Sequence, residues 1–239
     1  DRVEWVIIRD PQTQFNAILA GEVDMVEQPS FEQYETLKKT AGVKMDDFAP
    51  AGFQYIMRFN HLHPPFNNPK IRQAAMLAVG QQAFINTQVG VPELVRLCRS
   101  IYPCSSLYAD ENTPGFTGVA NPAKARELLK EAGYDGRPIV MMRPTDLSAI
   151  TKLPLVAKQQ LEAAGFKVDL QQMDWASLVA RRAKKEPPAQ GGWNMFFTTW
   201  SAQDIDSPLT SAMLNAKRMN TAAPRSRKRK KGNSGGQVD

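Results

Sequence analysis

The sequence has very few of the side chains on which most catalytic and metal sites depend. Its 239 residues include two histidines and two cysteines, and it has no Gly-x-Ser-x-Gly, phosphate-loop, His-Glu-x-x-His or dinucleotide-binding motif. Both histidines fall in one short stretch, so a Ser/His/Asp arrangement is poorly supplied. These absences argue against an enzyme, and we expect no catalytic residue and no cofactor. Only the size of the chain suggests a hydrolase.

Long hydrophobic runs and an N-terminal methionine are also missing. No apolar run approaches the ~20 residues that cross a bilayer. The chain begins at Asp1 without a charged-then-apolar leader, and we expect this end to be a processed terminus or a cut in a longer sequence. Its 42% hydrophobic and 23% charged residues are typical of a folded globular protein rather than a disordered one.

The positive charge of the chain lies almost entirely in its last residues. The net charge is +6, but residues 217–239 contain eight basic residues and one acidic residue, whereas residues 1–216 contain 22 basic and 23 acidic residues. The main part of the chain therefore has no basic excess with which to follow a phosphate backbone. The tail has no aromatic residue for base stacking. We expect residues 215–239 to be disordered and dispensable for folding, and nucleic-acid binding through this tail is the alternative function.

The first third of the chain alternates between strand and helix patterns. A helix is predicted at residues 11–21, with Pro11 in its first turn and Gly21 at its C-terminal end. A second helix is predicted at residues 31–40, where Ser30 and Gln33 are expected to form a capping box. Four segments rich in β-forming residues predict strands. These segments are residues 3–10, 22–26, 43–48 and 53–60.

The later part of the chain repeats a unit of helix, glycine, aromatic residue and strand, at residues 123–142 and 155–173. Asn68, Asn121 and Asp174 are expected to cap three helices. A last apolar strand is predicted at residues 193–200. This alternation predicts an α/β fold in which helices pack on a sheet. Residues 87–120 have no long periodicity, which is typical of functional or interface segments.

Several segments, in a fixed order, resemble those of a known family. Together they resemble the peptide-binding class (family 5) of the extracytoplasmic solute-binding proteins of ABC importers, over residues 1 to about 214. The residues that carry the resemblance are Pro65, Phe66, Arg72, Gln73 and Ala74, then Leu128, Leu129, Ala132, Gly133 and Tyr134, with the stretches FNAILAGEVDM before them and MDWASLVARRAKKEPPAQGGWNMFFTTWSA after them.

The resemblance implies a two-lobed receptor that closes on its ligand and presents it to a membrane permease. Residues 66–214 would form the second lobe, a periplasmic-binding-protein-like lobe with a mixed sheet flanked by helices, and residues 1–65 part of the first lobe. The N-terminal half of the family pattern is absent, so the chain resembles a fragment. The implied ligands are peptides or related small polar solutes, captured in the periplasm or on the outer cell surface. A fragment of this kind is expected to bind weakly and to self-associate.

The resemblance also implies ligand-binding residues after the last predicted strand. In such proteins an acidic residue just after the tryptophan that matches Trp200 pairs with the α-amino group of the ligand. The spacing from Trp200 to Pro208 is one residue longer here, so Gln203 or Asp204 occupies that position. With Gln203 there, an ammonium group would lose its counter-ion. The alternative is that Asp204 and Asp206 cap a following helix.

Trp193 and Trp200 lie at the two ends of the last predicted strand. Their separation of seven residues predicts that the two side chains point to opposite faces of the sheet. We therefore expect at most one of them to face a ligand. Trp175 begins an amphipathic helix and is expected in the core.

Cys98 and Cys104 lie six positions apart, and a bridge between them requires a turn, which Pro103 can help supply. The oxidising compartment implied by the resemblance would preserve such a bridge. We expect a disulfide, with two free, small hydrophobic side chains as the alternative.

His61 and His63 form a His-x-His pair at a strand end, where both can face one side. Two imidazoles are too few for a closed metal site, and no cysteine or carboxylate stands close in the sequence. We expect two loop histidines and no metal.

Overall fold

The sheet at the centre of this computed structural model has four strands, with helices on both of its faces. The structure describes residues 2–211, so the predicted basic tail at residues 215–239 lies outside the described residues. The strands are β1 (Phe53–Phe59), β2 (Ile139–Pro144), β3 (Val168–Met173) and β4 (Met195–Ser201). The α-helices are α1 (Pro11–Ala20), α2 (Tyr34–Lys39), α3 (Pro69–Ala78), α4 (Gln81–Gln88), α5 (Pro122–Glu131), α6 (Leu153–Ala163) and α7 (Trp175–Arg182).

The sheet is mixed, with the strand order β1-β4-β2-β3. Strand β2 is parallel to both β3 and β4, and β1 runs antiparallel to β4 along its whole length. Helix α6 connects β2 to β3, and α7 lies between β3 and β4 in the chain. The predicted α/β fold with a mixed sheet flanked by helices is therefore confirmed.

Side chains that alternate along the strands form two apolar layers. On one face, Met141, Met195 and Phe197 belong to a buried cluster completed by residues of α3, α5 and α6. On the other face, Met142 and Phe196 pack with Leu178 of α7. The two layers fix the register of strand pairing, because a shift of one residue would exchange the buried faces of a strand.

The predicted helix starts are formed by the expected side chains. Asn68 accepts a hydrogen bond from the Lys70 amide (2.9 Å), and Asn121 accepts one from the Lys124 amide (3.0 Å). Asp174 accepts one from the amide of Ser177 at the start of α7. These contacts satisfy amide groups that have no partner inside the helix.

The predicted capping box at Ser30 and Gln33 is wrong. Ser30 accepts a hydrogen bond from the amide of Glu32, but the Gln33 side chain reaches away and donates to the main-chain oxygen of Pro11 at 3.2 Å. A short 3-10 turn at Phe31–Gln33 therefore precedes α2. A tertiary contact with α1 has replaced the local one.

Of the four strands predicted in the first third, only β1 forms. Residues 3–10, 22–26 and 43–48 are irregular in the structure. Strand formation requires a neighbouring strand to bond the main-chain groups, and these segments have none within residues 2–211. Val3, Trp5 and Ile7 are accordingly exposed.

Strand β1 and helix α2, which both precede residue 65, contact the later part of the chain. All seven residues of β1 pair with β4. The Tyr34 hydroxyl donates to Glu93 at 2.7 Å, and the Lys38 Nζ atom lies 2.6 Å from the same carboxylate oxygen. The division of the chain at residue 65 and at residue 214 stays a prediction.

Candidate functional site

We place the candidate site at the end of the sheet where the parallel strands finish at their carboxyl termini. This end is called here the carboxyl edge of the sheet. Strands β2 and β4 are parallel and adjacent, so Pro144 and Ser201 end at the same edge. In α/β sheets, ligands bind in the crevice outside this edge. Strand β4 continues there into a 3-10 turn, Ala202–Ile205.

An open depression of about 270 Å³ lies beside this turn. One wall comes from residues 105–108, which follow the loop between Cys98 and Cys104, and the other from the turn after β4. The residues that line it are Ala51, Ser105, Ser106, Leu107, Tyr108, Ala202, Gln203, Asp206 and Ser207. Serine, glutamine and aspartate side chains share this lining with apolar surface, to which the exposed Leu107 and Tyr108 contribute.

The sequence left Gln203 and Asp204 as alternative ligand contacts, and the structure places the two side chains differently. Gln203 is exposed and lines the depression, whereas Asp204 is exposed but does not line it. Asp206 also lines it, and its carboxylate accepts a hydrogen bond from Thr210 at 3.1 Å. Residues 207–210 form a turn, and the remainder of the helix predicted there lies outside the described residues. The role of Gln203 or Asp204 in binding stays a prediction.

Trp200 is half-buried near the end of β4, opposite Gln54 of β1. Its Nε1 atom and the Thr199 hydroxyl oxygen are buried and have no hydrogen-bond partner within residues 2–211. A buried donor without an acceptor is costly. An oxygen atom of a ligand or of a water molecule would satisfy the indole nitrogen at this edge.

The prediction that Trp193 and Trp200 point to opposite faces is wrong. Strand β4 begins only at Met195, so Trp193 precedes the alternation. Its ring packs edge-on against Phe196, with centroids 5.0 Å apart, and Phe196 shares its face with Trp200 by strand alternation. Trp193 is 5% exposed and belongs to the core. Trp175, also expected in the core, is half-buried and packs against both apolar layers.

The disulfide expected between Cys98 and Cys104 is confirmed, with the two Cα atoms 5.8 Å apart. Gln81 donates to the main-chain oxygen of Cys98 at 2.6 Å, and Gln54 of β1 donates to that of Ser100 at 3.2 Å. The Ser106 hydroxyl donates to the main-chain oxygen of Asp206. The cross-linked loop is thus held against β1 and α4. Residues 105–108, which follow it and form one wall of the depression, contact the segment after β4 through Ser106.

Arg143 is a candidate ligand-binding residue that was not predicted from the sequence. It lies at the carboxyl end of β2, half-buried, and donates to the main-chain oxygen of Thr151 (2.9 Å) and to the Gln172 side chain (2.7 Å). These contacts hold a guanidinium group at the edge where Trp200 lies. The available signal was an arginine directly before Pro144, at the end of an apolar run.

The two histidines lie away from this edge. His63 forms a hydrogen bond through Nε2 with the main-chain oxygen of Lys185 at 2.7 Å. Burial, followed by the charge of Arg72, lowers the pKa of His61. Within residues 2–211, no group of three or more His, Cys, Asp or Glu side chains is arranged to hold a metal ion.

Comparison with known proteins first establishes the class of fold. A substrate-binding protein of an ABC transporter from Listeria monocytogenes superposes with a TM-score of 0.74, over 91% of this chain and 43% of that one, at 18% identity. A periplasmic binding protein of Helicobacter pylori, solved with the peptide STSA, gives a TM-score of 0.68 over 84% and 37%, at 23% identity. The structure is therefore a periplasmic-binding-protein fold.

The sequence comparisons then identify the family. Residues 1–221 match the bacterial extracellular solute-binding proteins, family 5, and the chain belongs to this family. A probable peptide ABC transporter periplasmic-binding protein of Sinorhizobium fredii is 34% identical over 204 residues. The glutathione-binding protein GsiB of Salmonella typhi is 30% identical over 203 residues. In each case the match covers 84% of this chain and 38% of the relative.

Family membership supports a substrate-binding role and gives no support to the nucleic-acid alternative, which rested on the basic tail. Both relatives are named as binding proteins, one of a peptide ABC transporter and the other of glutathione. No helix within residues 2–211 is long and apolar enough to span a membrane.

Proposed function

We propose that this chain forms part of the substrate-binding component of an ABC importer, which captures peptides or related small polar solutes outside the cytoplasm. The ligand is bound and released without chemistry, the lobes close around it, and a membrane permease receives it. The observation that carries the proposal is the depression beside the carboxyl edge of the sheet, in a chain of this family. Peptide and glutathione binding by the relatives supports the ligand class.

Two residues at this end of β4 are proposed to contact the ligand: Gln203, and Trp200, which lies beside the depression without lining it. Gln203 lines the depression, and its amide offers both a donor and an acceptor. The indole nitrogen of Trp200 is a donor without a partner among the described residues. Because Gln203 carries no charge, it does not select a ligand that has a free ammonium group. Asp204, one residue further, is the alternative contact.

The experiment compares free dipeptides with their N-acetylated forms by ligand-observed NMR on the full chain. We expect weak binding, with a Kd of roughly 1 mM, about −4 kcal/mol, because the chain spans only 38% of the length of its relatives. Both forms should bind similarly. Gln203→Asp should create a preference for the free amine, and Trp200→Phe should weaken both forms. Gln12→Ala, on exposed α1, is the control.

Two outcomes would contradict this assignment. If the unchanged chain prefers free amines and Asp204→Asn abolishes that preference, Asp204 is the contact. If neither peptide form nor glutathione gives a binding signal that Gln203→Asp changes, the depression is not a peptide site.

A further inference from the structure

Residues 2–48 take no part in the apolar core that surrounds the sheet. Neither of the two buried apolar clusters includes a residue before β1. Among the described residues, the hydrogen bonds and ion pairs that join residues 2–48 to residues 53–211 are made at two sites, each containing an acidic and a basic side chain. Charged side chains are thus the specific contacts that hold this segment against the rest of the chain.

The first site is the Glu93 carboxylate, which lies in the 3-10 turn Pro92–Leu94 after α4. Its Oε1 atom accepts a hydrogen bond from the Tyr34 hydroxyl at 2.7 Å and lies 2.6 Å from the Lys38 Nζ atom. Hydrogen bonds from Lys38 and Tyr34 lower the pKa of Glu93, and the hydrogen bond to Glu93 raises the pKa of Lys38. Both members of this ion pair are therefore favoured in their charged forms.

The second site has the opposite polarity, because here residues 2–48 supply the acid. The Glu32 carboxylate lies 2.5 Å from the Nζ atom of Lys152, the residue directly before α6. Lys152 follows Thr151, whose hydroxyl donates to the main-chain oxygen of Pro144 at the carboxyl edge of the sheet. This ion pair therefore places the 3-10 turn before α2 beside the edge at which the candidate ligand site lies.

We propose that the ion pairs Lys38–Glu93 and Glu32–Lys152, named here the ionic latch, hold residues 11–40 docked beside the carboxyl edge and release them when the pairs are broken. Exposed ion pairs are individually weak and are screened by salt. A change in salt, or the loss of the two carboxylates, is therefore enough to shift the balance between a docked and a released arrangement.

The ionic latch also joins the two predicted lobes. Glu32 and Lys38 lie in the predicted first lobe, residues 1–65, whereas Glu93 and Lys152 lie in the predicted second lobe. Formation of both pairs would stabilise the closed arrangement of the lobes over the carboxyl edge. This role in closure rests on the function proposed above, whereas the docking of residues 11–40 does not.

The test is the distance between spin labels on Ala20→Cys in α1 and Ala123→Cys in α5, both exposed positions, measured by double electron–electron resonance on the full chain. We expect a narrow distribution at low salt that becomes broader and longer at about 1 M salt, where the screening length falls to about 3 Å. The Glu32→Gln, Glu93→Gln double variant should show the broad distribution already at low salt. Glu35→Gln, which removes a carboxylate paired within α2 itself, is the matched control and should keep the narrow distribution.

A charge exchange gives a second test of the same contacts. Glu32→Lys and Lys152→Glu should each broaden the distribution, whereas the two changes together rebuild the pair and should restore the narrow one. A distribution that neither salt nor the double variant changes would overturn the proposal, because packing of the buried Leu37 would then hold the segment. Equal broadening in Glu35→Gln would also overturn it, because loss of helix α2 would then explain the change.

Hydrogen exchange in unlabelled protein decides the question if a labelled variant fails to fold. Glu93→Gln should speed the exchange of the α2 amides more than Glu35→Gln does, and equal rates in the two variants would contradict the proposal. No ligand takes part in these measurements, so failure of the ionic latch is distinct from failure of the proposed peptide site.

Discussion

Single buried polar side chains connect parts of this molecule that are distant in sequence. Asn194 is 1% exposed; its side-chain oxygen accepts from the Val140 amide at 2.9 Å, and its side-chain nitrogen donates to the Pro64 main-chain oxygen at 3.1 Å. The side chain thereby joins the start of β2 to the turn after β1. A side chain without polar atoms would leave the Val140 amide buried and unpaired, whereas the oxygen of the exposed Pro64 can bond to water.

Asn194→Ala is therefore expected to lower the free energy of unfolding by roughly 1–3 kcal/mol, the cost of one unpaired buried group. Urea unfolding followed by circular dichroism measures the change. Asn112→Ala, at an exposed asparagine, is the matched control and should change stability by less than about 0.5 kcal/mol. A loss at Asn194 no larger than at Asn112 would show that water replaces the lost bonds.

The Tyr55 phenol makes stability depend on pH in the alkaline range. Burial raises the pKa of Tyr55 to about 12 from its ordinary value of 10.0. The neutral phenol is therefore favoured in the folded state, and its contribution is complete below pH 10.0 and is lost as the pH rises toward about 12. Tyr55→Phe should remove this part of the decline. Unfolding at several pH values between 9 and 12 tests the expectation, and parallel curves for the two proteins would refute it.

At the scale of elements, the disulfide loop is the segment whose position matters most for the candidate site. The Cys98–Cys104 bridge closes a short loop, and side chains from β1 and α4 fix its main chain. Residues 105–108, which line the depression, follow directly. The bridge therefore stabilises its own surface loop and also the position of residues 105–108, which form one wall of the depression.

Replacing both cysteines by serine is expected to lower the free energy of unfolding by about 2 kcal/mol, the chain-entropy value for so short a loop. It should also weaken dipeptide binding, because the Ser105–Tyr108 wall loses its anchor. Urea unfolding and ligand-observed NMR give the two readouts, and reduction of the unchanged protein should reproduce both effects. Unaltered peptide signals in the serine variant would show that Gln54 and Gln81 hold the wall without the bridge.

At the scale of the whole molecule, the chain exposes large apolar side chains at its beginning. Trp5 is 79% and Ile7 is 88% exposed, in a segment whose composition is that of a strand. The chain spans 38% of the length of its relatives. Apolar groups clustered in this way favour association with another surface.

We therefore expect the chain to self-associate as its concentration rises, and a Trp5→Ser, Ile7→Ser double variant to remain monomeric over a wider range. Sedimentation velocity measures both. Val119→Ser is the matched control, because Val119 is 71% exposed but lies outside this segment. A chain that stays monomeric, or a control that suppresses association equally, would contradict the expectation.

The sequence by itself determined most of the helix boundaries and the α/β class. The caps at Asn68, Asn121 and Asp174 were predictable because a capping side chain bonds an amide two or three residues away. The repeated helix and strand units were predictable from local periodicity. The family could also be recognised, because its motifs occur in order along the chain.

Only the tertiary structure decided which candidate strands pair and which side chains meet. Strand β1 forms because β4 lies beside it, whereas residues 3–10 also consist of strand-forming residues but have no neighbouring strand within residues 2–211. The sequence left Gln203 and Asp204 as alternatives, and in the structure Gln203 lines the depression whereas Asp204 does not. Asn194 lies 54 positions from Val140 and 130 from Pro64 in sequence. No local pattern connects these residues, because they meet only when β4 lies between β1 and β2 in the sheet.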